Sequence, residues 1–160
     1  MYRLDNGFLE VLLVHPGGPF YRAKDDGAWS IPKGEFLPGE DPLENAVREF
    51  HEELGSPVSG EFITLKPVRQ KGGKLVHAFA VEGDLDTANI RSNTFTMEWP
   101  PRSGRMQEFP EVDRAEWFGV GSPPARGGVD VPHGRGGGST ARQKINPAQT
   151  AFLDELAAFV

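Results

Sequence analysis

A mixed α/β domain, with helices packed on a sheet, is predicted by three features of the chain. The apolar run FLEVLLV at 8–14 reads as a buried strand. Two β-rich runs, 61–69 and 74–82, flank Lys71-Gly72-Gly73-Lys74 and read as a hairpin. Two amphipathic stretches each open on a capping residue followed by proline, Asp41-Pro42 and Asn146-Pro147.

The elements follow in order. The first strand stops at Pro16-Gly17-Gly18-Pro19, and residues 20–33 form a loop leading through Trp29 and Ile31 into Pro32-Lys33-Gly34. In Asp41-Pro42-Leu43-Glu44 an N-cap acceptor, a proline at the first helical position and a glutamate for a capping box start a helix. Gly55 closes it and Pro57 prevents its continuation. Leu43, Ala46, Val47, Phe50 and Leu54 form its buried stripe. Further strands are expected near Asn93–Trp99 and at Ala115–Val120. The last helix, 147–159, should turn Phe152, Leu153, Leu156 and Phe159 inward.

With 160 residues the chain suits one domain, spanning 1–160. A Gly/Pro-rich segment at about 121–140 has almost nothing to bury and reads as a flexible loop. Its GRGGGST run lacks the lysine and preceding strand of a P-loop. The net charge of −6 argues against nonspecific nucleic-acid binding. No apolar run approaches the roughly 20 residues that span a bilayer, and no signal peptide is evident. Cysteine is absent, which excludes disulfides and thiol catalysis; a cytoplasmic protein is expected, with no membrane association and an open oligomeric state.

The chemistry concentrates in GEFLPGEDPLENAVREFHEELG, Gly34 to Gly55. Glu49, Glu52 and Glu53 fall within about 100° of arc on one short helix. Like charges at three- and four-residue spacing cost about 0.2–0.5 kcal/mol per pair. Arg48 can offset part of this through Glu44 and Glu52, whereas Glu49 and Glu53 have no cation on their own face. Such a helix makes poor sense without a bound cation, and oxygen ligands suit Mg²⁺.

The same residues fit G-x5-E-x7-R-E-U-x-E-E-x-G-U, U being aliphatic, and so resemble the signature of the Nudix hydrolases. Seven specified positions match by chance on the order of 10⁻⁸ times per starting point. Phe50 and Ser56 depart from the two aliphatic positions without touching a ligand.

The resemblance implies an α/β/α sandwich with a mixed sheet and a divalent-metal-dependent hydrolase of a phosphoanhydride in a nucleoside diphosphate-linked compound. Trp29, Pro32, Lys33 and Gly34 form a W-x-x-P-K-G motif that looks like the branch acting on dinucleoside polyphosphates or nucleoside triphosphates. ADP-ribose, inositol pyrophosphate and a catalytically silent nucleotide sensor remain alternatives. Carried over by position, Glu49, Glu52 and Glu53 would bind Mg²⁺ or Mn²⁺ together with a backbone carbonyl at Lys33 or Gly34. Arg48 would orient a glutamate, and Glu40 would brace the preceding loop. The general base is Glu52, Glu53, or a loop glutamate, Glu108 or Glu111, with Glu111 preferred for its position six residues before Trp117.

For a small phosphorylated substrate, Lys33, Arg22 and Lys24 offer positive charge. Trp29 is a candidate to stack on a base, with a core role as the alternative; Phe20 and Tyr21 are weaker candidates better placed as packing at the loop edge. His15 and His77 are expected as ordinary strand neighbours, and Trp99 as a packing residue at a strand end.

Overall fold

The computed structural model describes residues 1–70, 72–121 and 140–160. The expected flexible loop at about 121–140 and its GRGGGST run therefore lie largely outside the described residues.

Strand β2, Phe8–Pro16, is the centre of the fold. It pairs antiparallel with β1, Tyr2–Asp5, on one side and with β7, Val112–Gly119, on the other. An Asn6-Gly7 turn, with both residues at positive φ, joins β1 to β2. The expected 61–69 and 74–82 hairpin appears as β3, Phe62–Arg69, and β4, Leu75–Val81. A parallel bridge between Tyr2 and Glu82 brings β4 against β1. Antiparallel ladders joined by a parallel contact make the arrangement mixed.

The continuous apolar run of β2 has a physical explanation: both of its faces are covered. Val11 and Leu13 join Trp29, Phe118, Ile145, Phe152, Leu153 and Leu156 in one core cluster. Leu12 and Val14 point the other way, to Phe50, Leu54, Val112 and Ala115. The first layer is closed by helix α3, Thr150–Phe159, and the second by helix α1, Pro42–Leu54. This is the α/β/α sandwich the sequence led us to expect.

Helix α1 starts where the Asp41 carboxylate accepts from the Leu43 and Glu44 N–H groups, and ends at Gly55 in the left-handed conformation. The cap is one-sided, because Glu44 returns no bond to Asp41 among the described residues. Two further expectations need correction at the end of the chain. A short helix α2, Ala141–Lys144, precedes a 3-10 turn at Pro147–Gln149, so α3 itself begins at Thr150. Phe159 is 60 % exposed, because the last turn of α3 runs past the core.

A strand was also missing from the expectation. Residues 93–99 contain β5, Thr94–Glu98, which pairs antiparallel with β6, Met106–Pro110. Glu108 thus lies on a strand rather than a loop.

Candidate active site

The carboxylates gather where α1 meets two loops. Glu53 is 7 % exposed, and its Oε2 accepts the Lys33 N–H at 3.1 Å. Gly34 follows, and a Cβ there would overlap the Glu49 carboxyl group. Glycine is needed because the backbone passes directly against that side chain. The loop in between is held by its own contacts. Glu40 Oε2 accepts the Leu37 N–H at 2.7 Å, which fits the bracing role expected of it. The buried Asn45 side chain donates to the Glu35 carbonyl at 3.3 Å, a tie that the charge pattern gave no reason to seek.

Arg48 is positioned differently from the simplest helical expectation. Its Nη1 reaches both Glu52 oxygens at 3.0 and 3.1 Å, and its Nη2 reaches Glu49 Oε1 at 3.1 Å. Glu49 therefore does have a cation, while Glu44 does not share it. Glu53 is left with the Lys33 N–H as its hydrogen-bond partner and the nearby Lys33 charge.

Burial pushes the Glu53 carboxyl up to about 7, reinforced by the negative charges of Glu49 and Glu111 and opposed by Lys33. Burial also raises Glu49, with Glu52 and Glu111 adding to the effect and Arg48 opposing it. Glu111 thus shares the electrostatic field of Glu49 and Glu53. Glu108 instead bonds Thr94 Oγ1 on the outer face of its hairpin.

A backbone link places Glu111 near α1. The Asn93 N–H donates to the Glu52 carbonyl at 2.8 Å, and the Asn93 carbonyl accepts the Glu111 N–H at 2.8 Å. This main-chain link leaves no mark on residue chemistry. It could have been foreseen only by pairing TFTME with MQEFP across the intervening Pro-Pro turn.

Among the described residues, no three His, Asp or Glu side chains converge as a closed metal cage. The donor set nevertheless fits a hard divalent cation, which binds through one or two carboxylates and shares its remaining positions with water and phosphate. Glu53 is buried and Glu49 half-buried; both lie close to further negative charge and are destabilised in their ionised forms. A cation would relieve that conflict.

The substrate-binding expectations separate. Lys33, Arg22 and Lys24 are exposed. The Lys24 ammonium lies 5.2 Å from the Tyr21 ring centroid, and its carbonyl meets His15 Nε2 at 2.7 Å. Trp29 offers no face to a base. It is 1 % exposed, meets His15 and Phe118 edge-on, lies beneath Arg114, and donates from Nε1 to Asp25 at 2.8 Å. Its core role follows from a bridge to Ile145 that ties the loop to the C-terminal layer. His15 is fully buried between Asp113 Oδ1 and the Lys24 carbonyl, each 2.7 Å away, and serves the scaffold.

A family model described as the NUDIX domain matches residues 1–131. Among solved structures, a C. elegans Ap4A hydrolase, crystallised as a binary complex, is 18% identical with a TM-score of 0.58. That match covers 99% of this chain and 92% of the hydrolase. The NUDIX domain of Shewanella oneidensis NrtR, complexed with ADP ribose, is 17% identical with a TM-score of 0.46, covering 74% of this chain and 68% of that one. Among the described residues, no helix is long and apolar enough to cross a membrane.

Proposed function

The chain belongs to the NUDIX domain family of pyrophosphohydrolases, and from that premise we propose that it is a divalent-cation-dependent hydrolase of a nucleoside triphosphate or dinucleoside polyphosphate. The observation that carries this reading is the pairing of a buried carboxylate, Glu53, with a half-buried one, Glu49, in the field of a third, Glu111. The W-x-x-P-K-G sequence at Trp29 to Gly34 puts dinucleoside polyphosphates first among the substrates to try.

Glu49, Glu52 and Glu53, with a carbonyl at Lys33 or Gly34, would hold Mg²⁺ or Mn²⁺. The bound ion would neutralise phosphate charge and make a coordinated water more acidic. Arg48 keeps Glu52 and Glu49 oriented through charge-assisted hydrogen bonds. Lys33 presents its ammonium to the substrate while its N–H fixes Glu53. Glu111 is the loop carboxylate best supported as general base, because Glu108 is turned to Thr94. Glu52 is engaged by Arg48, and Glu53 is fixed by the Lys33 N–H among the proposed metal ligands, which leaves Glu111 to act on a water.

A panel of phosphorylated compounds with Mg²⁺, comparing the native chain with Glu53→Gln, tests the assignment. Phosphoanhydride hydrolysis should fall by more than about 10²-fold in the variant. Turnover of no compound by the native chain would point to the silent sensor, and an unaffected variant would remove Glu53 from the site.

A further inference from the structure

Among the described residues, the two strands of the β5–β6 hairpin pair with each other and with no strand of the sandwich. The base of the hairpin is nevertheless fixed to the site. Asn93 bridges the Glu52 carbonyl and the Glu111 N–H, and the Gly17 N–H donates to the Glu111 carbonyl at 2.9 Å. The loop after β2 then runs along the hairpin. A Cβ at Gly17 would collide with the Pro110 carbonyl, and one at Gly18 would lie 3.0 Å from the Phe95 ring. These two glycines let the loop lie flat, which delivers Phe20 edge-on to Trp99, with centroids 5.4 Å apart and planes at 82°.

The far end of the hairpin is chemically unlike the rest of this acidic chain. Phe20 is 56 % exposed and Trp99 is half-buried. The turn beyond Trp99 carries Arg102 and Arg105, both exposed and without an ion pair among the described residues. A part-exposed aromatic pair followed by a turn with two exposed guanidinium groups favours a ligand with both a flat ring and negative charge. Phe20 is three residues beyond Gly17, so at about 3.3 Å per residue the aromatic pair stands up to roughly 10 Å along the arm from its base. A ligand that reaches both places must be extended, with a phosphorylated middle and an aromatic end.

We propose that the β5–β6 hairpin is a substrate arm on which Phe20 and Trp99 hold the distal nucleobase of a dinucleoside polyphosphate and Arg102 and Arg105 hold the adjoining phosphates. This deepens the hydrolase reading and rests on it. The arm would select for length: a nucleoside triphosphate held at the carboxylates lacks the second nucleoside.

Steady-state kinetics with Mg²⁺ on a dinucleoside tetraphosphate and on a nucleoside triphosphate test the arm in the full chain. The variants are Trp99→Ala and the pair Arg102→Asn with Arg105→Gln; asparagine tolerates the positive φ of 64° at position 102. Each should raise KM for the dinucleotide about tenfold, leave kcat within about twofold, and leave KM for the triphosphate unchanged. The double arginine variant changes only exposed side chains, so it remains informative should Trp99→Ala fold poorly. Equal effects on both substrates, no effect on either, or a changed oligomeric state with unchanged KM would overturn the proposal. Calorimetric titration of the dinucleotide in metal-free buffer separates its failure from that of the hydrolase reading. Binding that weakens in the variants, even without turnover by the native chain, supports the arm and overturns the hydrolase. Binding indifferent to the arm alongside normal turnover does the reverse.

Discussion

The Glu49 carboxylate occupies the space that a side chain on Gly34 would need. The contact joins the loop that carries Lys33 to the helix that carries the acidic cluster. Gly34→Ala should therefore displace either the loop or the carboxylate. Misplacement of a reacting group by about 1 Å can cost 10²-fold, and a loss of that order is expected in kcat/KM, with a higher Mg²⁺ concentration for half-activation. A magnesium titration of activity reads both, and unchanged curves would mean that Glu49 takes no part in binding the metal.

The second prediction concerns the charge on Glu53. Its pKa is raised to about 7 by burial. A carboxylate raised above its unfolded value contributes relative stability that is fully present below the unfolded pKa, near 4.5, and is lost as pH rises through the folded value. In metal-free buffer Glu53→Gln should thus be more stable than the native chain at pH 8, by up to about 3 kcal/mol. The gain should shrink as pH falls and vanish only below about 4.5, where the unfolded group is protonated as well. Urea unfolding across that pH range checks this; a variant that is less stable at pH 8 would show that Glu53 carries no uncompensated charge.

These two predictions rest on residues that the sequence already singled out, and the reason is chemical. A proposed metal site demands particular residue types at fixed helical spacing, so Glu49, Glu52 and Glu53 stand out as candidates without a fold. The helix around them was equally legible, because Asp41, Pro42 and Gly55 mark its ends through local backbone chemistry. Contacts between distant segments were not. Nothing in Trp29 distinguishes an aromatic ring that stacks on a base from one that bridges to Ile145. The strand Met106–Pro110 was obscured because only Phe109 on it is partly buried, so the alternating pattern is weak. The link from Asn93 to Glu52 and Glu111 uses backbone atoms, which every residue has.

Asp25 supports a third prediction. Its carboxylate takes both the Lys144 ammonium and the Trp29 Nε1–H, joining the loop after β2 to α2; Lys144 also reaches Asp26 at 2.7 Å. Lys144, followed by the Trp29 hydrogen bond, holds the Asp25 carboxyl below its ordinary value. Its contribution to stability is present above the unfolded pKa, near 3.8, and is lost as pH falls through the lower folded value. Asp25→Ala leaves the buried indole N–H without its acceptor, at a cost of about 1–3 kcal/mol at pH 7. The deficit should persist down to about pH 4 and shrink only below it. Thermal unfolding across that range tests the sign, and a deficit that disappears between pH 7 and 5 would assign the effect to another group.

The C-terminal helix provides the fourth. Its apolar periodicity treats Leu153 and Phe159 alike, yet Leu153 is 2 % exposed in the core and Phe159 lies mostly in solvent. The core ends before the helix does, so position within the fold decides the energetics that residue type leaves open. Leu153→Ala should cost about 2–5 kcal/mol through lost burial and the cavity left behind. Phe159→Ser should stay within about 0.5 kcal/mol, as for other surface changes. Denaturant midpoints for the pair give the comparison directly. A large cost at Phe159 would mean that the last turn of α3 is covered in solution, and the layer over β3 would then extend beyond Leu156.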